Sequence, residues 1–248
     1  MDLHHFCKTG AKNFQCPHFK RQGYAFHMNL RAKVGLELGI LAALAAAFIV
    51  MFPHRHPAVD ISLALLALVG IAASASYTRN CVWAASPSPV AEPRSRRGWF
   101  ATLWITIPVA VVFLGFGAVV AYRASGWQGV CDRILNWRVL AVFGGYLVWA
   151  LLQQTLLEFY LLGRLLILFP RTSLPFVVTG ICFGLVHLPD YWTASVTVVA
   201  GAVWSILYFR YRALLPLALS HAMLGTAFYY GLFGHDLSAE WSAFVQGS

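Results

Sequence analysis

Seven mostly apolar stretches divide the chain, at 34–52, 59–77, 99–121, 139–169, 174–187 extended by a few residues, 191–208 and 214–233. Most approach the ~20 residues that a helix rising 1.5 Å per residue needs to span roughly 30 Å of hydrocarbon. The fifth is short and the fourth is long. None alternates apolar and polar positions as a barrel strand does, and in lipid only a helix or a closed barrel pairs its whole backbone internally. The pattern therefore predicts an all-α fold, a polytopic transmembrane helical bundle of about seven spans. The breaks agree with it: Pro53-His-Arg-His-Pro57, Ser86-Pro-Ser-Pro89 running on to Arg97, Gly126 to Arg138, Pro170-Arg171 and Pro189-Asp190 each carry turn or loop residues. The expected organisation is a basic N-terminal segment (1–33), three helices with their loops (34–138), a core (139–233) and a short tail (234–248).

Composition strengthens this picture. Only 11% of the 248 residues are charged and 59% are hydrophobic, against roughly 25% charged in soluble domains; mean hydropathy is +0.67. The net charge of +9 does not point to nucleic acid, because the basic residues fall between apolar runs rather than in a patch with interleaved aromatics. They read instead as topology signals. With the N-terminus cytoplasmic, fourteen Lys and Arg lie inside, against Arg55, Arg123, Arg133 and Arg138 outside, and positive charge favours the cytoplasmic side. The expected partner is the lipid bilayer and the expected location a bacterial inner (plasma) membrane. The first apolar run follows a long polar stretch, so no cleavable signal peptide is expected. Five scattered cysteines imply no disulfide framework. In the N-terminal segment His4, His5, Cys7, Cys16 and His18 match no structural zinc spacing.

Against this background the polar residues inside the runs stand out, since each must find a partner or a wet cavity. The fourth run carries Gln153, Gln154 and Glu158 near its middle and Arg164 further on. Gln154 and Glu158, four apart, share a helix face. The glutamines are either interhelical hydrogen-bonding glue or part of a site, and Glu158 is either a satisfied structural acid or a proton acceptor. His187 closes the fifth run and His221 lies two turns into the seventh. Imidazoles, amides and a carboxylate are the inventory of general acid/base work on a polar bond. Two His and Glu158 are also chemically able to ligate a divalent metal such as zinc; no cofactor is otherwise expected. Glu37 in the first run reads as a partner for Arg or His. The Tyr208-Phe-Arg-Tyr-Arg212 turn reads as a headgroup anchor.

The order of these pieces resembles a family. A polar-pair helix ending in Gly163-Arg164-Leu165, then Phe183-Gly-Leu-Val-His187-Leu-Pro-Asp190, a helix containing Gly201, Tyr211-Arg-Ala-Leu-Leu-Pro216 and Leu219-Ser-His221-Ala resemble the CAAX protease and bacteriocin-processing (CPBP, or Abi) intramembrane proteases over roughly 139–233. The family's first motif is Glu-Glu-x-x-x-Arg; here Gln153 and Gln154 stand at the glutamates and Glu158 at the arginine. The resemblance implies that His187 helps activate a water and that His221 stabilises the oxyanion, with Gly225 where the family has Asn or Asp. An amide takes no proton at neutral pH, so either Glu158 has taken over the base role or the acid is lost. The implied activity is a CPBP-type intramembrane endopeptidase hydrolysing a peptide bond of a membrane-associated or lipidated substrate. The alternative is an inactive relative that binds a lipid, a prenyl chain or a partner helix. The expected catalytic set is His187, His221, Glu158, Gln153 and Gln154.

Overall fold

The structure is a computed structural model describing residues 24–51, 62, 66, 69, 70, 73, 92–170, 172–188 and 190–234. Most of the second expected span and of the Ser86–Pro89 linker, the N-terminal Cys/His residues and the C-terminal tail lie outside the described residues. The described secondary structure is helical throughout: α1 (Tyr24–Met51), α2 (Glu92–Arg133), α3 (Trp137–Gln154, π-helical over Thr155–Leu162 and ending in Gly163–Leu168), α4 (Leu174–Leu185), α5 (Tyr191–Tyr211) and α6 (Leu214–Thr226, π-helical over Ala227–Phe233). Among the described residues, three helices are long and apolar enough to cross a membrane: Arg96–Arg133, Trp137–Leu168 and Tyr191–Tyr211. The fourth run is not split in two. It is one helix, whose irregularity is the π-helical stretch beginning just after Gln154.

Side-chain placement departs from that of a water-soluble domain. Trp104, Val112, Leu140, Val148 and Val199 are exposed, while Thr102, Thr106, Gln154, Glu158, Thr179, Ser205, Ser220 and His221 are buried. In water that arrangement would forfeit the hydrophobic effect. In hydrocarbon it is the stable one, because polar groups must find each other and apolar ones face the lipid.

The chain forms two compact units, Met1–Ala91 with Leu156–Ile206, and Glu92–Thr155 with Leu207–Ser248. In the first, α4 and α5 meet at small residues: a Cβ on Gly180 would lie 2.4 Å from the Val198 carbonyl oxygen, so any side chain there would force the backbones apart. Also in this unit, the Arg164 Nε of α3 lies 3.7 Å from Glu37 of α1, the Tyr160 hydroxyl donates to the same carboxylate, and the guanidinium carbon sits 4.8 Å from the Tyr160 ring centroid. Glu37 is thus a partner for an arginine, as its position in the sequence suggests.

In the second unit α6 packs along α3 and α2. Thr106 donates to the Thr102 carbonyl at 2.8 Å and shares a 2.6 Å hydrogen bond with Ser220. Since the Thr106 proton is committed to the carbonyl, Ser220 is the donor. At the end of α6, Arg133 donates from Nε to the Tyr230 carbonyl and from Nη2 to the Gly231 carbonyl, both at 2.8 Å, which satisfies carbonyls left without helical partners. The expected loop from Gly126 to Arg138 is largely helical. α2 breaks only at Ser125 and Gly126, where Gly126 has φ 63, a conformation open to glycine. The Tyr208–Arg212 turn is tight: Arg212, at φ 55, donates its N–H to the Tyr208 carbonyl at 2.7 Å and lays its guanidinium over Tyr208 and Phe209.

Candidate active site

The expected site residues fall in both units, Gln153, Gln154 and His221 in the second and Glu158 and His187 in the first.

In the second unit the cluster is built on α3 and α6. Tyr146, Ala150 and Gln154 recur every four residues and so share one face of α3. Ala150 is completely buried, and its small side chain permits close helix approach. Opposite them is His221, 3% exposed. The Gln154 Nε2 lies 3.4 Å from His221 Nδ1, and the Tyr146 hydroxyl 3.2 Å from Nε2. An amide nitrogen only donates, so Nδ1 accepts and the neutral ring carries its proton on Nε2, toward the Tyr146 oxygen. The Tyr146 ring meets the imidazole edge-on, with centroids 5.5 Å apart at 83°. Gly225, one turn beyond His221, admits that ring: a Cβ there would lie 2.3 Å from Tyr146 Cε1. The Oε1 atoms of Gln153 and Gln154 and the Thr226 hydroxyl are buried and meet no hydrogen-bond partner.

In the first unit Glu158, within the π-helical stretch of α3, is fully buried. Ser205 of α5 donates to its Oε1 at 3.1 Å, while Oε2 is buried without a partner. Glu158 therefore neither faces lipid nor pairs with Arg164. One hydrogen bond is less than an ionised carboxylate needs out of water.

His187 lies just past α4 rather than inside the span. The sequence explains why the helix stops here, because Leu188 precedes Pro189 and the residue before a proline is disfavoured in helix. The last turn tightens so that His187 N donates to the Gly184 carbonyl at 3.0 Å, one residue short of the α-helical partner. The Phe183 carbonyl is left to His187 Nδ1, at 2.7 Å. Donation to a carbonyl places the ring proton on Nδ1 and the lone pair on Nε2, the opposite of His221. Phe183 packs on the imidazole edge at 4.9 Å and on Trp204 at 5.8 Å. The Phe-x-x-x-His spacing thus supplies both the carbonyl and the ring that hold His187. Asp190 caps α5, accepting from the backbone N–H groups of Trp192 and Thr193 and from the Thr193 hydroxyl, and the hydroxyl bond above all holds its carboxyl below the usual range.

The structure thus joins Gln154 to His221 and gives Glu158 and His187 their own partners, Ser205 and Phe183. Tyr146 and Ser205 escape a reading of the sequence. Tyr146 leaves a signal in its spacing to Gln154, two steps of four residues, and in the glycine one turn after His221; Ser205 leaves none. Among the described residues, no three His, Cys, Asp or Glu are grouped to hold a metal ion.

Chemically, His187 offers a lone pair and His221 an N–H that rests against the Tyr146 hydroxyl. One is suited to take a proton from water, the other to stabilise developing negative charge.

Residues 135–227 match the family described as Type II CAAX prenyl endopeptidase Rce1-like. The matched segment contains Gln153, Gln154, Glu158, His187 and His221. It supports the CPBP (CAAX protease) resemblance, and with the apolar helices it supports an integral membrane protein. No curated protein and no solved structure matches the chain.

Proposed function

We propose that the protein is a CPBP-type intramembrane endopeptidase that hydrolyses a peptide bond of a membrane-associated or lipidated substrate. The observation that carries this reading is how the two histidines are held: the Phe183 carbonyl, 2.7 Å from His187 Nδ1, directs the ring proton there and leaves Nε2 as the base, while the Gln154 amide nitrogen, 3.4 Å from His221 Nδ1, directs that ring's proton to Nε2. A water-activating base and an oxyanion donor need those two states respectively.

In this reading His187 Nε2 accepts a proton from the attacking water, and Glu158, whose Oε2 lacks a partner, orients that water or relays its proton. The Gln153 and Gln154 amides bind rather than titrate, Gln154 by holding His221. The His221 N–H, which the Tyr146 hydroxyl accepts in the resting structure, stabilises the tetrahedral oxyanion by being shared between that hydroxyl and the substrate oxygen. The scaffold is a seven-span bundle with a cytoplasmic N-terminus in a bacterial inner membrane, made of the domains expected from the apolar runs. Binding of a lipid, prenyl chain or partner helix without hydrolysis is the competing outcome.

The test is cleavage of a prenylated peptide with a CAAX terminus by protein reconstituted in liposomes. The wild type is expected to release the terminal peptide, and His187→Ala and Glu158→Gln to lose at least ten-fold in rate while remaining folded. Binding without cleavage by the wild type, or full activity in both variants, would remove the enzyme reading.

A further inference from the structure

We infer that Tyr146 is the positioning residue of His221, and that Gly225 serves to make room for it. His221 has a partner at each ring nitrogen, Gln154 at Nδ1 and Tyr146 at Nε2. Gln154 settles which nitrogen accepts; Tyr146 receives the proton on the other side. The three groups form a directed chain, from the Gln154 N–H through the imidazole to the Tyr146 hydroxyl, in which each donor polarises the next. Without the hydroxyl the Nε2–H loses this partner at a buried position, and the ring loses a bond that helps define its tautomer and angle.

The steric observation is independent of the hydrogen bonds. A Cβ on residue 225 would sit 2.3 Å from Tyr146 Cε1 and 3.0 Å from both Cζ and the hydroxyl oxygen. The Tyr146 ring and a side chain at 225 therefore exclude each other. Residue 225 is four beyond His221 on one face of α6, so a polar side chain there would reach the same imidazole from its own helix. The chain instead takes its Nε2 partner from α3, 75 residues away, and leaves residue 225 bare. The consequence is that the orientation of His221 depends on the packing of α3 against α6.

The role in catalysis rests on the function proposed above, but the positioning does not, so the two can fail separately. The experiment is nitrogen-15 NMR of histidine-labelled full-length protein in lipid nanodiscs, with the His221 signals assigned by His221→Gln, alongside cleavage kinetics in liposomes. Wild-type His221 is expected as a single Nε2–H tautomer. Tyr146→Phe keeps the ring that fills the space over Gly225, so it is expected to fold; it should give mixed tautomers and, where the wild type cleaves, lower kcat at least ten-fold with KM within two-fold. Gly225→Ala should disturb the tautomer through sterics alone. Tyr146→Ala combined with Gly225→Asn should recover one Nε2–H tautomer, with the introduced amide oxygen as the new acceptor. An Nδ1–H tautomer in the wild type, or wild-type spectra in both Tyr146→Phe and Gly225→Ala, overturns the inference. Absence of cleavage with the expected spectra removes the protease reading and leaves the positioning role standing.

Discussion

Replacing Gln154 by leucine separates a residue that glues the bundle from one that serves a site. Gln154 is fully buried and makes one long contact, 3.4 Å to His221 Nδ1. Interhelical hydrogen bonds in membranes average about 0.6 kcal/mol and reach ~1.7, and a 3.4 Å contact belongs at the low end. Against this, its Oε1 is buried without a partner, which costs about 1–3 kcal/mol for an unsatisfied group. Leucine has a similar volume and removes both terms, but it leaves His221 Nδ1 without its donor, at a cost of roughly 1 kcal/mol. The sum for Gln154→Leu lies within about 1 kcal/mol of zero. Stability would be measured by reversible unfolding in mixed micelles, and activity in the liposome assay. The expected result is near wild-type stability with at least a ten-fold loss of cleavage. A loss beyond ~2 kcal/mol with cleavage intact would show that Gln154 is glue and would refute its role in holding His221.

Three further expectations concern the frame. Glu37→Gln removes the carboxylate beside the buried Arg164; because Glu37 is itself 26% exposed, the loss should fall below that of a fully buried pair, at about 1–3 kcal/mol in the same unfolding assay. Arg133→Met removes donors to the Tyr230 and Gly231 carbonyls and should cost ~1–2 kcal/mol, with faster amide exchange confined to the end of α6. The Asp190 carboxylate, held below its usual range chiefly by Thr193, stabilises the start of α5 above the ordinary carboxylate pKa of about 4 and loses that contribution as pH falls through its lowered value. Asp190→Asn should therefore flatten the acid limb of stability against pH.

What is legible in the sequence follows from what each signal is made of. Apolar runs mark α2, α3, α5 and α6 because lipid selects their composition. Their ends are less legible: α1 begins at Tyr24, because a helix continues past the apolar run into polar sequence, and after the break at Ser125 and Gly126 helix resumes and reaches Arg133. Glu37 is readable as a partner for an arginine or histidine, since a buried charge needs its opposite, but that the partner is Arg164 comes from the structure. The π-helical stretches leave no compositional trace, and one of them carries Glu158. Tyr146 is hidden for a different reason: a tyrosine in an apolar span looks like packing, and its partner is 75 residues away. The Gln-Gln pair looks like a lesion in the motif because a carboxylate is expected there; in the structure Gln154 does what an amide can do, donating to an imidazole.

Peptide hydrolysis is tested most directly by incubating the reconstituted wild-type protein with a prenylated CAAX-terminated peptide in oxygen-18 water and weighing the products. The expected product is a shortened prenylated peptide whose new carboxylate carries one heavy oxygen, formed by the wild type and lost in His187→Ala. Quantitative recovery of intact peptide bound to folded wild-type protein would contradict it.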